Sequence, residues 1–144
     1  MKYLFKGTVN WCKVKKPDEK YNNYTVDVIF DDESWEQFKE SGIQVQPKDS
    51  DHQQVAVGTP GSYVRFRRPH AKMIKGKIVE FGPPDVYIKK DDEYEKFDGL
   101  IGNGSEAEVI VSVYDTQRGK GHRWEKIAVT NLVEYGDNDD DMPF

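Results

Sequence analysis

The sequence predicts an all-β fold, a small twisted barrel with one short α-helix, and three observations predict it. Apolar and polar residues alternate with a period of two through most segments; those segments are short and bounded by glycine- and proline-bearing turns; and one stretch alone carries convincing helix start and stop signals. The chain of 144 residues is the size of one domain. Aromatic residues make up 12% of it and charged residues 33%, so a polar chain still holds enough large rings for a small core.

The first strand runs from Tyr3 to Val14 and sets Tyr3, Phe5, Val9 and Trp11 on one face against Lys6, Thr8 and Asn10 on the other. That alternation places Trp11 in the core. A polar turn over 15–20 leads into a second strand, Tyr24 to Phe30, where Tyr24, Val26, Val28 and Phe30 oppose Thr25 and Asp27. The helix spans Ser34 to Ser41, with Ser34 as N-cap, Gln37 completing a capping box and Gly42 as the stop. Trp35 and Phe38, three apart, form the stripe that docks it on the core. The polar segment 44–61 holds Pro47 and Pro60 and reads as a surface loop. Shorter strands follow at 62–68, 77–81 and 86–90, separated by Pro69 and by Gly82-Pro83-Pro84, while 91–99 is either loop or short helix. Glu106 to Asp115 and Arg123 to Tyr135 form a long antiparallel hairpin around 116–122, a stretch whose glycines and bases suit a mobile, cationic loop. Six or seven short strands and one helix are best accommodated by an OB-fold-like barrel, whose open face commonly holds single nucleic-acid strands or sugars.

Composition excludes several classes. No run of about 18 apolar residues occurs, and Lys2 and Lys6 break the N-terminal apolar stretch, so neither a membrane span nor a signal peptide is expected and the reading is cytoplasmic. Cys12 stands alone and cannot form an internal disulfide. His52, His70 and His122 make no metal-ligand spacing with it, so no metal and no cofactor is expected. Enzyme templates fail as well. The segment 99–104 is glycine-rich yet lacks the lysine and hydroxyl of a phosphate-binding loop, and Cys12 has no assignable base. A metal-nuclease set would have to gather Asp18 and Lys20 with Asp91 and Asp92, which solvated turn charges explain more simply.

Charge is distributed in blocks. The net charge is -5, but Asp137, Asp139, Asp140 and Asp141 supply four of the negatives within the last nine residues; with them set aside, acids and bases nearly balance. Residues 1–16 carry five lysines and no acid; 52–79 carry Arg65, Arg67, Arg68, Lys72, Lys75 and Lys77 and no acid; a third basic stretch holds Arg118, Lys120 and Arg123. If these fold side by side they form a positive surface on a near-neutral body. Within the second block, Tyr63, Arg65 and Arg67 share one strand face and Val64 and Phe66 the other. A ring beside two guanidinium groups is what a single strand needs, since cations follow phosphates and ring faces stack on any base. Trp124, at the base of the cationic hairpin, is the second stacking candidate, and Tyr21 in the first turn either stacks or is simply exposed. The expected DNA-binding set is therefore Tyr63, Arg65, Arg67, Arg68, Lys72, Lys75, Arg118, Lys120, Arg123 and Trp124.

The chain divides into a folded domain, 1–135, and a disordered acidic tail, 136–144. The tail ends in Met142-Pro143-Phe144. Solubility alone does not call for that apolar tip, whereas a docking peptide would anchor the Phe144 ring and a terminal carboxylate in a pocket with a basic rim that meets Asp137, Asp139, Asp140 and Asp141. An acidic run closing in Pro-Phe resembles the tail of bacterial single-stranded DNA-binding proteins, whose usual ending has Ile where Met142 stands. The body, with Gly99-Leu100-Ile101-Gly102-Asn103-Gly104-Ser105 and Val113-Tyr114-Asp115 before a Gly-Lys-Gly hairpin, is similar to the single-stranded DNA-binding proteins of lytic tailed bacteriophages. The resemblance implies an OB fold, sequence-tolerant binding of single strands in phage replication, recombination and repair, and tail contacts with replication proteins such as a polymerase or helicase in the host cytoplasm. Two rival readings stand beside it: an adaptor acting only through its tail, and a small Mg²⁺ nuclease. Duplex DNA as a further ligand and a homodimer are left open.

Overall fold

The computed structural model describes residues 1–134; the acidic segment 136–144 and Tyr135 lie outside them. In chain order the elements are β1 Lys2–Asn10, β2 Asn23–Phe30, α1 Asp32–Ser41, β3 Val64–Pro69, β4 Ala71–Ile74, β5 Lys77–Glu80, β6 Asp85–Lys90, β7 Glu93–Lys96, β8 Ser105–Thr116 and β9 Gly119–Asn131. Seven strands make one sheet in the order β3-β2-β1-β8-β9-β6-β7, and β4 and β5 pair only with each other. Neighbours in the large sheet run antiparallel apart from β6 and β9, which are parallel. Gly7 allows the tight β1–β2 crossing: a Cβ there would lie 2.1 Å from the Ile29 carbonyl oxygen.

The inward-facing residues are those the alternation picks out. Phe5, Val9, Val26, Val28, Val64, Phe66, Val109, Val111, Ile127 and Val129 are fully buried, each removing roughly 1.5–3 kcal/mol worth of side chain from water. Phe5 stacks on Phe30 at 5.1 Å and on Phe66 at 5.4 Å between ring centroids. Helix α1 seals this cluster, with Trp35 edge-on to Phe30 at 4.9 Å and Phe38 tilted against it at 5.4 Å. Asp31 rather than Ser34 caps the helix: its Oδ1 accepts the Ser34 N–H at 2.8 Å, leaving the Ser34 hydroxyl to accept from the Lys6 N–H at 2.7 Å. Gly42 ends it in the left-handed region at φ 74°.

The sheet does not close through a backbone ladder. Its edge strand β3 curls toward β9, and side chains bridge the gap. The Arg67 N–H donates to His122 Nε2 at 3.0 Å, and the Arg68 guanidinium donates to the Trp124 carbonyl at 3.2 Å and to Glu125 at 2.8 Å. The His122 ring packs edge-on against Phe66 at 5.6 Å.

Beyond the helix cap, four expectations need correction. The first strand ends at Asn10, because Trp11 adopts φ 50° and the alternation breaks there; Trp11 is 63% exposed instead of buried. The segment 91–99 is neither helix nor plain loop: Asp91 and Asp92, both at positive φ, form the two-residue turn of a β6–β7 hairpin. The Lys77 strand has a partner, β4, across a Lys75-Gly76 turn that Pro69 and a polar context concealed. The cationic loop shrinks to Gln117 and Arg118, since Thr116 pairs with Gly119 and Lys120 with Asp115.

Candidate nucleic-acid interface

One end of the barrel gathers rings and cations from three elements. As β1 ends, the Trp11 N–H donates to Asn103 Oδ1 at 2.7 Å while Asn10 Oδ1 accepts the Gly104 N–H at 2.9 Å, so the glycine-rich loop fixes the backbone that presents the exposed indole. Lys13 continues the pairing, its N–H donating to the Thr25 carbonyl at 2.9 Å. Asp18 then builds the turn, its carboxylate accepting the Tyr21 N–H at 2.6 Å and the Asn23 N–H at 3.2 Å. The Tyr21 hydrogen bond holds the Asp18 carboxyl below the usual carboxylate range, and Tyr21 itself is 67% exposed. Asp18 thus shapes a turn, and Asp91 and Asp92 lie in a different one, between β6 and β7.

Strand β3 adds two cations to Lys13. Arg65 faces Asp27 across the β2–β3 register and binds its carboxylate through two hydrogen bonds of 2.6 and 3.0 Å, an orientation that also lays the guanidinium over Tyr63 at 6.0 Å. Asp27 is buried, so the pair fixes Arg65 while leaving its outer edge in solvent. The Tyr63 hydroxyl pairs with His52 Nδ1 at 2.8 Å, and burial raises its pKa, so the phenol stays neutral. Arg67 is exposed and carries no ion pair among the described residues. Trp11, Lys13, Tyr21, Arg65 and Arg67, with Asp18, Asn23, Thr25 and His52 between them, line a groove of about 420 Å³. An arrangement of two solvent-facing rings and three cations, with the Asp18 carboxylate tied up in its turn, can hold a polyanion with exposed bases.

The remaining sequence-derived candidates lie elsewhere. Trp124 is 0% exposed, its Nε1–H donating to the Lys126 carbonyl at 3.1 Å, and so cannot stack on a base. The reason is a bulge: Ile110 pairs with Lys126 and Val111 with Trp124, leaving Glu125 unopposed and switching which residues of β9 point inward. Arg68 is also withdrawn. All of its hydrogen-bonding reach goes to the Phe81, Gly82 and Trp124 carbonyls and to Glu125, anchoring the root of the β4–β5 hairpin. Arg123 joins it, binding Glu125 at 2.6 Å and covering the Phe81 ring at 4.6 Å. Lys120 is paired with Asp115, and Arg118 sits exposed at the hairpin tip, outside the groove. Lys72 and Lys75 are exposed on the β4–β5 hairpin. Lys2 and Lys6 line a separate depression with Glu33 and Gln37 of α1. Two of the three basic blocks therefore converge, through Lys13 of the first and Arg65 and Arg67 of the second, while the third stays outside the groove. Trp11 was missed because regular alternation put it inside. Its neighbour Cys12 is held by burial, and then by Asp27, far above the usual thiol range, so it is no nucleophile at neutral pH.

No family model matches the chain, and no curated protein matches it by sequence. Solved structures do. The single-stranded DNA-binding protein gp2.5 encoded by bacteriophage T7 superposes with a TM-score of 0.53 at 15% identity, over 99% of this chain and 96% of that one. The shared fold is OB-like. The single-stranded DNA-binding protein of bacteriophage Enc34, in complex with single-stranded DNA, superposes with a TM-score of 0.51 at 12% identity, over 93% of this chain and 88% of that one. At such identities the likeness is one of architecture, and this chain's groove residues stand on their own geometry.

Proposed function

We propose that this protein binds single-stranded DNA with little regard to sequence, in the groove framed by Trp11, Tyr21, Lys13, Arg65 and Arg67. The observation that carries this reading is the exposure of two large rings, Trp11 and Tyr21, in one groove with three cations, Lys13, Arg65 and Arg67. The solved structures of similar fold, described as single-stranded DNA-binding proteins and in one case holding single-stranded DNA, support it. Residues 1–135 form the binding unit. The segment 136–144 recruits replication proteins such as a polymerase or helicase, through Asp137, Asp139, Asp140, Asp141, Met142, Pro143 and Phe144, and competes with DNA for the positive groove. Its setting is phage DNA replication, recombination and repair in the host cytoplasm; among the described residues, no helix is long and apolar enough to cross a membrane.

The test is a titration with oligo-dT that follows tryptophan emission. Trp35 and Trp124 are buried, so quenching reports Trp11. Wild type should be quenched, and Trp11→Ala should lose both the quenching and about 1–3 kcal/mol of affinity. Full affinity in Trp11→Ala would remove the stacking role; no binding by wild type would remove the function.

A further inference from the structure

The β4–β5 hairpin is the most exposed structured part of the molecule. Its turn, Lys75 at φ 50° and Gly76 at φ 80°, is the tight two-residue form that suits a twisted hairpin, so the arm is preformed. Its strands pair with each other and with no other strand. Met73 and Ile78 stand directly opposite one another on one face and are 61% and 70% exposed; Ile74 and Val79, also exposed, share the other face with their partners Lys77 and Lys72, Lys75 sits in the turn, and Glu80 is the hairpin's acid. An isolated two-stranded hairpin is marginal in water, and an apolar pair held this far out has no packing partner among the described residues.

The root places this arm beside the groove. β3 passes from Arg65 and Arg67 through Pro69 directly into the hairpin. The His70 N–H donates to the Asn22 carbonyl at 2.9 Å, next to Tyr21, and the His70 carbonyl accepts from Phe81 and Gly82 at 2.8 and 3.1 Å. Arg68 fastens the same root to β9 through its bonds to Phe81, Gly82 and Glu125.

We propose that the β4–β5 hairpin is a strap over the single strand, with Met73 and Ile78 packing on unstacked bases and Lys72, Lys75 and Lys77 reaching the flanking phosphates. This rests on the single-strand reading of the groove. Two features select a nucleic-acid strand as the occupant: the excess of lysine over acid on the arm, and the continuity of its root with the cationic groove. The apolar pair adds something the lysines cannot. A stacked duplex hides its base faces and must be unstacked at a cost before an apolar side chain can enter, so Met73 and Ile78 favour an open strand, whereas the lysines attract single and double strands alike.

The two halves of the strap separate experimentally. In the full chain, Met73→Ser with Ile78→Ser should bind oligo-dT about tenfold more weakly, leave the log–log salt slope unchanged and narrow the preference for oligo-dT over duplex. Lys72, Lys75 and Lys77 changed together to Gln should instead shallow the slope by up to about 2. All five side chains are exposed, so thermal unfolding should match wild type in both variants. Unchanged affinity and unchanged single-to-double-strand preference in the Met73→Ser, Ile78→Ser variant overturns the strap. So does a shift of the DNA-free protein from oligomer to monomer in sedimentation with DNA affinity intact, which would make the pair a self-association surface. Retained binding through Trp11 in either case leaves the groove reading standing.

Discussion

Two tryptophans show how one residue's backbone decides its role. Alternation along the first strand predicts a buried Trp11, and the position of Trp124 at the base of a cationic hairpin predicts an exposed one. The structure reverses both, through a left-handed φ at Trp11 and a bulge at Glu125. Trp124 is accordingly a core residue. Trp124→Ala should cost about 3–5 kcal/mol in urea unfolding and, under conditions where the variant remains folded, leave oligo-dT affinity within a factor of two or so. A stable Trp124→Ala protein with lost DNA binding would return the ring to the interface. Arg65 and Arg68, three apart on β3, make a similar contrast. One is braced by a buried carboxylate with its outer edge in solvent, and the other is consumed by carbonyls and Glu125.

Between elements, the decisive contact is the seam where β3 meets β9 without a ladder. His122 accepts a hydrogen bond there and must be neutral to do so; desolvation, then the neighbouring Arg67, pushes its pKa down to about 4 from the ordinary 6.5. With the folded value below the unfolded one, the unfolded chain binds more protons between these limits. The seam's contribution is whole above pH 6.5 and is lost as pH falls toward 4, by at most about 1.4 kcal/mol per pH unit. Urea midpoints measured from pH 7 to 4 should fall in wild type and fall less in His122→Gln, whose amide oxygen can still accept; identical slopes would remove His122 from the seam. Much of the element plan was legible in the chain. The β1, β2 and β3 faces, the helix with its Trp35–Phe38 stripe and Gly42 stop, and the long β8–β9 hairpin all follow from local periodicity and capping chemistry. The seam was hidden because it joins segments far apart in the chain; the β4–β5 hairpin is local but has no buried face for alternation to mark, and the Glu125 bulge is a register shift within β8–β9 that residue type does not announce. The groove was half legible: charge blocks pointed to Arg65 and Arg67, but Lys13 and the two exposed rings emerge only once the strand ends are placed.

At the scale of the molecule, a modest net negative charge coexists with a locally positive, ring-lined groove, because acids are spent elsewhere: in turns, on the helix and in the segment 136–144. The preformed arm beside that groove extends its reach, so binding should combine phosphate neutralisation by about four to six cations with stacking that ignores base identity. Such binding has a defined salt signature, a log–log slope of about -3 to -4 for oligo-dT. The most direct measurement is that slope in wild type beside a variant carrying Lys13→Gln and Arg67→Gln, two exposed groove cations that no ion pair occupies among the described residues. The account predicts a steep wild-type slope that becomes shallower by about 1.4 in the variant. Equal slopes in the two proteins, or an affinity indifferent to salt, would show that DNA does not lie in this groove.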